Sequence, residues 1–280
     1  MKSGFSAFEF FVLVTLILAV SVTPALAITW GQLDSALEYR NVGAIMVHVV
    51  GRPADVFSQV CSGTLIYPKI FLTAGHCTEY LNAASAAGRI DDVRVSFDLS
   101  PASPGATLLE VVGIITHPDY KFGPHSDPHD VGLLILKDDV EGITPATLPV
   151  LGLLDQLRAD GNLRQGSNGA KFTVVGYGGI LAWPPPRVTY EDQRRFAVSE
   201  YRALLPAWLR MSQNHATGDG GTCYGDSGGP AFWEPESETR ILVGITSWGD
   251  APCVATGFNY RTDIPQTLNF IKDVIDNLPS

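Results

Sequence analysis

The sequence predicts an all-β fold that ends in a C-terminal helix. Short runs of β-branched and apolar residues recur between clusters of Gly, Pro, Asn and Asp, a pattern typical of β-barrels and β-sandwiches. The 280 residues are enough for two modest barrels that share one cleft. Apolar residues at helical spacing follow over Asp263–Leu278. We therefore expect two β-units followed by an amphipathic helix that docks on them.

The first unit, residues 28–150, should contain six strands. They are predicted at Asn41–Val50, Ser62–Ile66, Ile70–Ala74, Val93–Phe97, Leu108–Thr116 and Val131–Leu136. Residues 151–170 break the pattern with a possible helix at Leu153–Asp160 and a polar stretch, so we interpret them as a linker. The second unit, residues 171–262, has predicted strands at Lys171–Tyr177, Ala231–Trp233 and Arg240–Trp248. The proline-rich segment 183–187 cannot be a central strand, because proline lacks the backbone N–H.

The first 27 residues are typical of a secretory signal peptide. Lys2 precedes the apolar run Phe10–Val20, and small residues at Ala25-Leu26-Ala27 form a cleavage site. A retained signal anchor is the alternative, although the apolar run is short for a membrane span. We predict a secreted protein, extracellular or periplasmic, that has no contact with the membrane once the signal is removed.

The formal net charge of −10 excludes some partners. Removing residues 1–27 deletes one base, Lys2, and one acid, Glu9, so the mature chain keeps the whole charge. Binding to nucleic acid phosphates requires clustered Lys and Arg, so we expect no nucleic acid partner. The acidity favours solubility, and we expect a monomer.

Four cysteines in an exported chain suggest disulfide bonds. Cys61, Cys77, Cys223 and Cys253 allow three pairings, and counting alone does not choose among them. Zinc binding is the competing interpretation, but the chain lacks paired Cys-x-x-Cys spacing and the expected compartment is oxidising.

The segment Gly221–Pro230 has the composition expected around a nucleophilic serine. Its glycines disfavour both helix and ordinary strand, so its backbone conformation should matter more than its side chains. Ser227 could act as a nucleophile if a base removes its proton and backbone N–H groups stabilise the resulting oxyanion. The alternative is a glycine-rich surface turn.

The base and its partner are predicted to be His76 and Asp130. His76 ends an apolar strand at a turn of small residues, whereas the other histidines lie in a strand or in polar turns and loops. Asp130 stands immediately before the apolar run Val131–Leu136, where a carboxylate is costly unless it is paired, and an imidazole N–H is a suitable partner. Taken singly, each could be structural.

Three segments together resemble the signature blocks of the chymotrypsin-like (trypsin-like) serine proteases. They are Thr73-Ala74-Gly75-His76-Cys77, Asp130-Val131-Gly132-Leu133-Leu134 and Gly225-Asp226-Ser227-Gly228-Gly229-Pro230, in that family's order. The resemblance implies two packed antiparallel β-barrels of the chymotrypsin type. It also implies that Ser227 is the nucleophile, His76 the general base and acid, and Asp130 the residue that orients His76.

The same resemblance implies several further roles. The N–H groups of Gly225 and Ser227 would form the oxyanion hole. Cys61 would pair with Cys77, and Cys223 with Cys253. Ser247-Trp248-Gly249 would pair with the extended backbone of a polypeptide substrate, while Gly221 and Thr222 would line the pocket for P1, the residue whose carbonyl is attacked.

Two features depart from the family pattern. In trypsins the position of Gly221 is occupied by an aspartate, which selects Arg or Lys as the P1 residue. Because this chain has glycine there, we expect an uncharged or apolar P1 residue. Asp219 would reach the pocket only in a shifted loop, and Asp250 would lie at its rim. No basic residue precedes Ile28, so we expect signal removal itself to free the Ile28 amine, which would pair with Asp226 and order the oxyanion hole. The alternative is that Ile28 merely starts a strand.

The sequence therefore predicts a secreted serine endopeptidase that needs no cofactor or metal. The loop Asp127-Pro128-His129 could attract a cation, but a solvated loop is the preferred interpretation. Two other functions stay open at this point: a catalytically inactive binding protein with a protease-like fold, and an esterase that uses the same three residues.

Overall fold

The computed structural model describes residues 28–123, 125–166, 168–182, 187–235 and 239–278. The predicted signal segment, residues 1–27, lies outside the described residues, as does most of the proline-rich segment at 183–186. In the part of the chain that the structure describes, no helix combines the length and apolar character needed to cross a bilayer.

The first unit is a closed antiparallel barrel of six strands. Its strands are β2 (Val42–Val49), β3 (Phe57–Tyr67), β4 (Ile70–Thr73), β5 (Ile90–Ser96), β6 (Leu109–Thr116) and β7 (Gly132–Leu136), and a short β1 (Gln32–Leu33) precedes them. The order around the barrel is β2-β3-β4-β7-β6-β5. Each of these six strands overlaps a strand predicted from the sequence, because alternating or continuous apolar residues mark all of them.

The second unit closes in the same way. It contains β8 (Lys171–Gly176), β11 (Arg195–Leu204), β12 (Trp208–Ser212), β13 (Pro230–Trp233), β14 (Ile241–Gly249) and β15 (Thr256–Arg261). The order is β11-β12-β15-β14-β13-β8, and pairing between β11 and β8 closes the barrel, with β1 added at β11. A separate hairpin of β9 (Gly179–Ala182) and β10 (Arg187–Tyr190) flanks the proline-rich segment.

Of the six strands of the second barrel, β11, β12 and β15 were not predicted, and neither was the hairpin of β9 and β10. Strand β11 is the clearest example, because it carries Arg195 and Glu200, charged residues that are usually exposed but are 3% and 5% exposed here. Arg195 donates to the carboxylate of Glu191, and Glu200 lies near Arg202. These ion pairs allow the charged side chains of Arg195 and Glu200 to be buried, which the amino-acid composition of the segment does not suggest.

Three α-helices accompany the barrels among the described residues: α1 (Gly75–Ala86), α2 (Leu153–Ala159) and α3 (Pro265–Asp276). Helix α1 directly follows β4, where only a turn had been predicted. Helix α2 falls inside the predicted linker and buries Leu154, whose N–H donates to the Asp263 carboxylate at 2.8 Å. Helix α3 overlaps the predicted C-terminal helix and packs Phe270 and Ile271 against the body. The all-β prediction with a C-terminal helix is thus confirmed.

A buried ion pair lies between the two barrels. Arg194 and Asp34 have almost no exposed surface, and Nε of Arg194 donates to the Asp34 carboxylate at 2.8 Å. Nη1 of Arg194 also donates to the carbonyls of Val42 and Phe97 in the first unit and to the hydroxyl of Tyr177 in the second. One guanidinium therefore connects the N-terminal segment with both units.

Candidate active site

Strand pairing brings His76 and Asp130 together. Strands β4 and β7 are neighbours, with Thr73 opposite Gly132, so the residues just after β4 lie beside those just before β7. His76 lies in the first turn of α1, and its backbone N–H donates to Oδ1 of Asp130 at 2.8 Å. Its ring Nδ1 is 3.0 Å from Oδ2 and 3.2 Å from Oδ1 of the same carboxylate. Because a carboxylate can only accept, Nδ1 carries the proton and Nε2 is left as the basic nitrogen.

Asp130 is buried, and both of its carboxylate oxygens accept hydrogen bonds. Only 3% of its surface is exposed, and the hydroxyl of Ser247 donates to Oδ2 from strand β14 of the second barrel. Burial alone would raise the pKa of this carboxyl, but the charge and hydrogen bonds of His76, with the Ser247 hydroxyl, hold it below its usual range. Burial would likewise lower the pKa of His76, and Asp130 outweighs that effect and raises it. The pair therefore favours an ionised Asp130 beside an imidazole that readily accepts a proton.

Ser227 lies in a tight turn before β13. Gly225 and Gly228, on either side of it, have φ angles of +96° and +84°, which L-residues with side chains rarely adopt. The Ser227 carbonyl accepts a hydrogen bond from the N–H of Ser62 at 2.8 Å, and Sγ of Cys77 lies 3.6 Å from the same oxygen. Contacts from the first barrel thus hold the serine loop beside the residue that follows His76.

His76 and Ser227 line two cavities that share two residues. A cavity of about 580 Å³ is lined by His76 and Asp130, and one of about 220 Å³ by Ser227; Ser247 and Trp248 line both. Within the described residues, no hydrogen bond joins Nε2 of His76 to Oγ of Ser227. Such bonds are often long in free enzymes and tighten when substrate binds.

The backbone beside Ser227 presents two free N–H donors. No acceptor for the N–H of Gly225 or Ser227 occurs in the described part of the chain. The Gly225 carbonyl accepts from Nε2 of Gln59 at 2.8 Å and from Oγ of Ser62 at 3.0 Å, which fixes the orientation of that residue. Sequence reasoning identified the two donors but missed Gln59, because a lone glutamine in a strand carries no recognisable signal.

Both predicted disulfide pairs are present. Cys61 is bonded to Cys77 and Cys223 to Cys253, so none of these cysteines is a free thiolate for zinc. Asp127, considered above as part of a cation site, makes hydrogen bonds within the protein. Its Oδ1 accepts from the hydroxyl of Tyr260 at 2.7 Å and from the N–H of His129. In the described part of the chain, the cluster of possible metal ligands that includes His76 is completed by Cys61 and Cys77, which are bonded to each other.

One carboxylate, that of Asp250, is among the described residues that line the predicted P1 pocket. Thr222, Trp248 and Gly249 line the smaller cavity, whereas Gly221, also predicted to line the pocket, is not among its lining residues. Trp248 stacks on Phe258 with ring centroids 3.7 Å apart. Asp219 accepts from the hydroxyl of Thr217 and lies 3.7 Å from Arg202. Asp250 lines the cavity, but its carboxylate accepts the N–H groups of Val254, Ala255 and Thr256.

Asp226, beside the candidate nucleophile, is completely buried. Its carboxylate accepts the N–H of Gly178 at 2.7 Å and that of Cys223 at 2.8 Å. Burial raises the pKa of Asp226 to about 7, although these two donors act in the opposite direction. Ile28 is also fully buried, and the neighbouring Thr29 pairs with Gly221 in the segment that leads to Asp226.

Two comparisons with known proteins give matches over most of the chain. The family model described as Trypsin matches residues 39–271, which cover most of the chain. The chain is also 29% identical over 211 residues to the venom serine protease Bi-VSP of Bombus ignitus. That match covers 71% of this chain, and the chain spans about half (54%) of the length of that relative.

Proposed function

Because the chain belongs to the trypsin family, we propose that it is a secreted serine endopeptidase that cleaves polypeptides through Ser227, His76 and Asp130. The observation that carries the proposal is the buried Asp130 carboxylate, which accepts both the backbone N–H and the ring Nδ1 of His76. In the neutral imidazole this contact leaves Nε2 as the nitrogen without a proton, and the cavities lined by His76 and by Ser227 share Ser247 and Trp248.

The proposed reaction proceeds through an acyl-enzyme. Oγ of Ser227 forms a bond to the scissile carbonyl carbon while Nε2 of His76 takes the hydroxyl proton. The C–N bond then breaks, and His76 gives that proton to the leaving amine. Water, deprotonated by His76, attacks the acyl-enzyme, releases the new carboxyl end and restores Ser227.

The free N–H groups of Gly225 and Ser227 would stabilise the negative oxygen of each tetrahedral intermediate. Loss of one such donor typically lowers turnover by a factor of about 10²–10³. Gln59 and Ser62 support this function, because their hydrogen bonds to the Gly225 carbonyl hold the donor residue in place. Ser247-Trp248-Gly249 would pair with the extended substrate backbone along the edge of β14.

We also propose that the P1 residue is not Arg or Lys. Gly221 provides no acid at the base of the pocket, and Asp219 and Asp250 are already engaged by protein groups. A charged P1 side chain would lose its water there, and the Asp250 carboxylate already accepts three backbone N–H groups. Faster cleavage after Arg than after uncharged residues in a panel of chromogenic peptides would overturn this preference.

Secretion and activation form the next part of the proposal. Two disulfides are typical of an oxidising compartment, which agrees with export guided by residues 1–27, either out of the cell or to a periplasm. Cleavage after Ala27 would free the amine of Ile28. The buried Asp226 carboxylate, whose described partners are uncharged N–H groups, is a suitable counter-ion for that amine.

A labelling experiment tests the proposed function. The mature protein should react covalently with a sulfonyl fluoride, Ser227→Ala should abolish the reaction, and Ser85→Ala, which changes an exposed serine on α1, should preserve it. Labelling distinguishes an enzyme from an inactive binding protein. Hydrolysis of casein by the unlabelled mature protein then distinguishes a peptidase from an esterase, and absence of both labelling and hydrolysis would reject the proposal.

A further inference from the structure

Gln213 lies behind Thr222, one of the residues that line the smaller cavity. It follows strand β12, is only 2% exposed, and its backbone N–H donates to the Ala255 carbonyl. A Cβ atom added to Gly221 would lie 2.2–2.5 Å from the Gln213 side chain, and one added to Gly257 would lie 3.0 Å from its Nε2. The glutamine therefore occupies the space in which an acid at position 221 would have stood.

The hydrogen bonds of Gln213 fix the direction of its amide. Nε2 donates to the Thr222 carbonyl at 2.8 Å and to Oγ1 of Thr222 at 3.1 Å. Because a carbonyl can only accept, the nitrogen and oxygen of the amide cannot be exchanged. Oε1 is buried, and no donor to it occurs in the described part of the chain. It lies 3.6 Å from the position of a Cβ on Gly249, which lines the cavity.

Thr222 provides the complementary group. Its Oγ1 accepts the hydrogen bond from Gln213, so its own hydroxyl proton is available to donate, and the described residues include no acceptor for it. Thr222 lines the same cavity as Ser227. Beside the lining residues Thr222 and Gly249, the structure thus combines one unused acceptor, Oε1 of Gln213, with one unused donor, Oγ1–H of Thr222.

We propose that Gln213 and Thr222 select a P1 side chain that ends in a primary carboxamide, that of Gln or Asn. The amide NH₂ of the substrate donates to Oε1 of Gln213, and its carbonyl accepts from the hydroxyl of Thr222. The inference rests on the proposed function, because it assigns a substrate class to the pocket beside Ser227. It narrows the uncharged P1 preference to a polar one.

The chemistry of the pocket disfavours the other classes of side chain. An apolar P1 residue would leave Oε1 of Gln213 buried without a donor, and pockets built around a substrate hydrogen bond strongly reject analogues that lack it. Lys or Arg would bury a charge without a free carboxylate. A carboxylate could accept from Thr222 but would repel Oε1, since neither group is a donor.

The test uses four peptides that differ only at P1, in two pairs of similar shape: Asn with Leu, and Gln with Met. For the mature protein we expect kcat/KM to be at least about tenfold higher for the amide than for its apolar counterpart in one pair or both. Gln213→Met should reduce that ratio at least about tenfold. Thr222→Val, which removes the donor and keeps the shape, should also reduce it, and provides the test if Gln213→Met does not fold.

The ratio is measured within each variant, so losses common to all substrates cancel. Gln156→Met, which changes an exposed glutamine on α2, is the matched control and should keep the wild-type ratio. A protein that reacts with the sulfonyl fluoride and cleaves after Leu and Met as fast as after Asn and Gln overturns the P1 inference alone. An unchanged ratio in the pocket variants overturns it as well. A protein that neither reacts nor cleaves any peptide overturns the proposed function too.

Discussion

Arg194 and Asp34 form an ion pair in which the side chains are 1% and 0% exposed, at the junction of the two barrels. Two charges removed from water are stabilising only when further hydrogen bonds satisfy them. Here Asp34 also accepts the N–H groups of Glu38 and Tyr39, while Arg194 donates to two carbonyls and a tyrosine hydroxyl. The pair therefore forms the centre of a network of hydrogen bonds between the two barrels.

Removing one partner should destabilise the protein strongly. Asp34→Asn leaves the Arg194 charge buried without its counter-ion, and we expect a loss of about 3–5 kcal/mol in the free energy of unfolding. Urea unfolding measures it. Lys272→Ala, which removes an exposed ion pair on α3, serves as the control and should leave the midpoint nearly unchanged. A small effect of Asp34→Asn would mean that water reaches Arg194 in solution.

The contact between His76 and Asp130 should be visible in the pH dependence of activity. His76 must be neutral to act as a base, so kcat/KM should rise as pH increases through its pKa, which Asp130 holds above the ordinary value. Asp130→Asn should shift this midpoint to lower pH and reduce kcat by about 10⁴-fold, the magnitude for the triad of this same family. Asp138→Asn, at an exposed position, should change neither. A midpoint that does not move in Asp130→Asn would contradict the assigned role.

The state of the Ile28 amine should control how stability varies with pH. In a chain that retains residues before Ile28, the pKa of Asp226 is raised to about 7, so the folded state holds a proton that the unfolded state releases. The free energy of unfolding should then fall as pH rises from about 4 to 7, and Asp226→Asn should remove this slope, whereas Asp55→Asn should not.

In the mature protein the paired amine should lower the pKa of Asp226, and the slope should disappear. The amine's own pKa should rise above its unfolded value of about 8, so activity should fall as pH increases through the folded value. Adding one residue before Ile28 should abolish most of the activity. Equal activity with and without that residue would reject the pairing of Ile28 with Asp226.

Gly228 should not tolerate a side chain. Its φ angle is +84°, and an added Cβ would lie 2.0 Å from Oγ1 of Thr73 and 2.4 Å from the Ser62 carbonyl. We expect Gly228→Ala to cost more than about 2 kcal/mol through strain and overpacking, and to slow sulfonyl fluoride labelling. Gly105→Ala is the control, because Gly105 has a similar φ of +86° but open space around it, so only the backbone cost applies. Equal losses in the two variants would show that the contacts at Gly228 relax.

The sequence predicted the features that short motifs and apolar periodicity determine. His76, Asp130 and Ser227 each lie in a local block, and the six strands of the first barrel are marked by apolar runs. Helix α1 was missed because its first residues, Gly75-His76-Cys77, were assigned to a turn, although the alanine-rich stretch that follows favours a helix.

The polar network of the pocket could not be predicted in the same way. Gln213 approaches Gly221 and Gly257 only because β12 pairs with β15 in the folded barrel, and nothing in the local sequence indicates that contact. Arg194 and Asp34 are 160 residues apart, and charged residues are usually assigned to the surface. Long-range partners of buried polar groups therefore require the structure.

Ser62 connects the first barrel to the loop of the second barrel that carries Ser227. It belongs to β3, yet its N–H holds the Ser227 carbonyl, its hydroxyl donates to the Gly225 carbonyl and it accepts the N–H of Tyr177. A hinge motion that separates the barrels must break these bonds and displace the nucleophile at the same moment. The amide of Ser62 should consequently exchange with deuterium at the rate at which the barrels open, and occupation of the cleft by an inhibitor should slow that exchange.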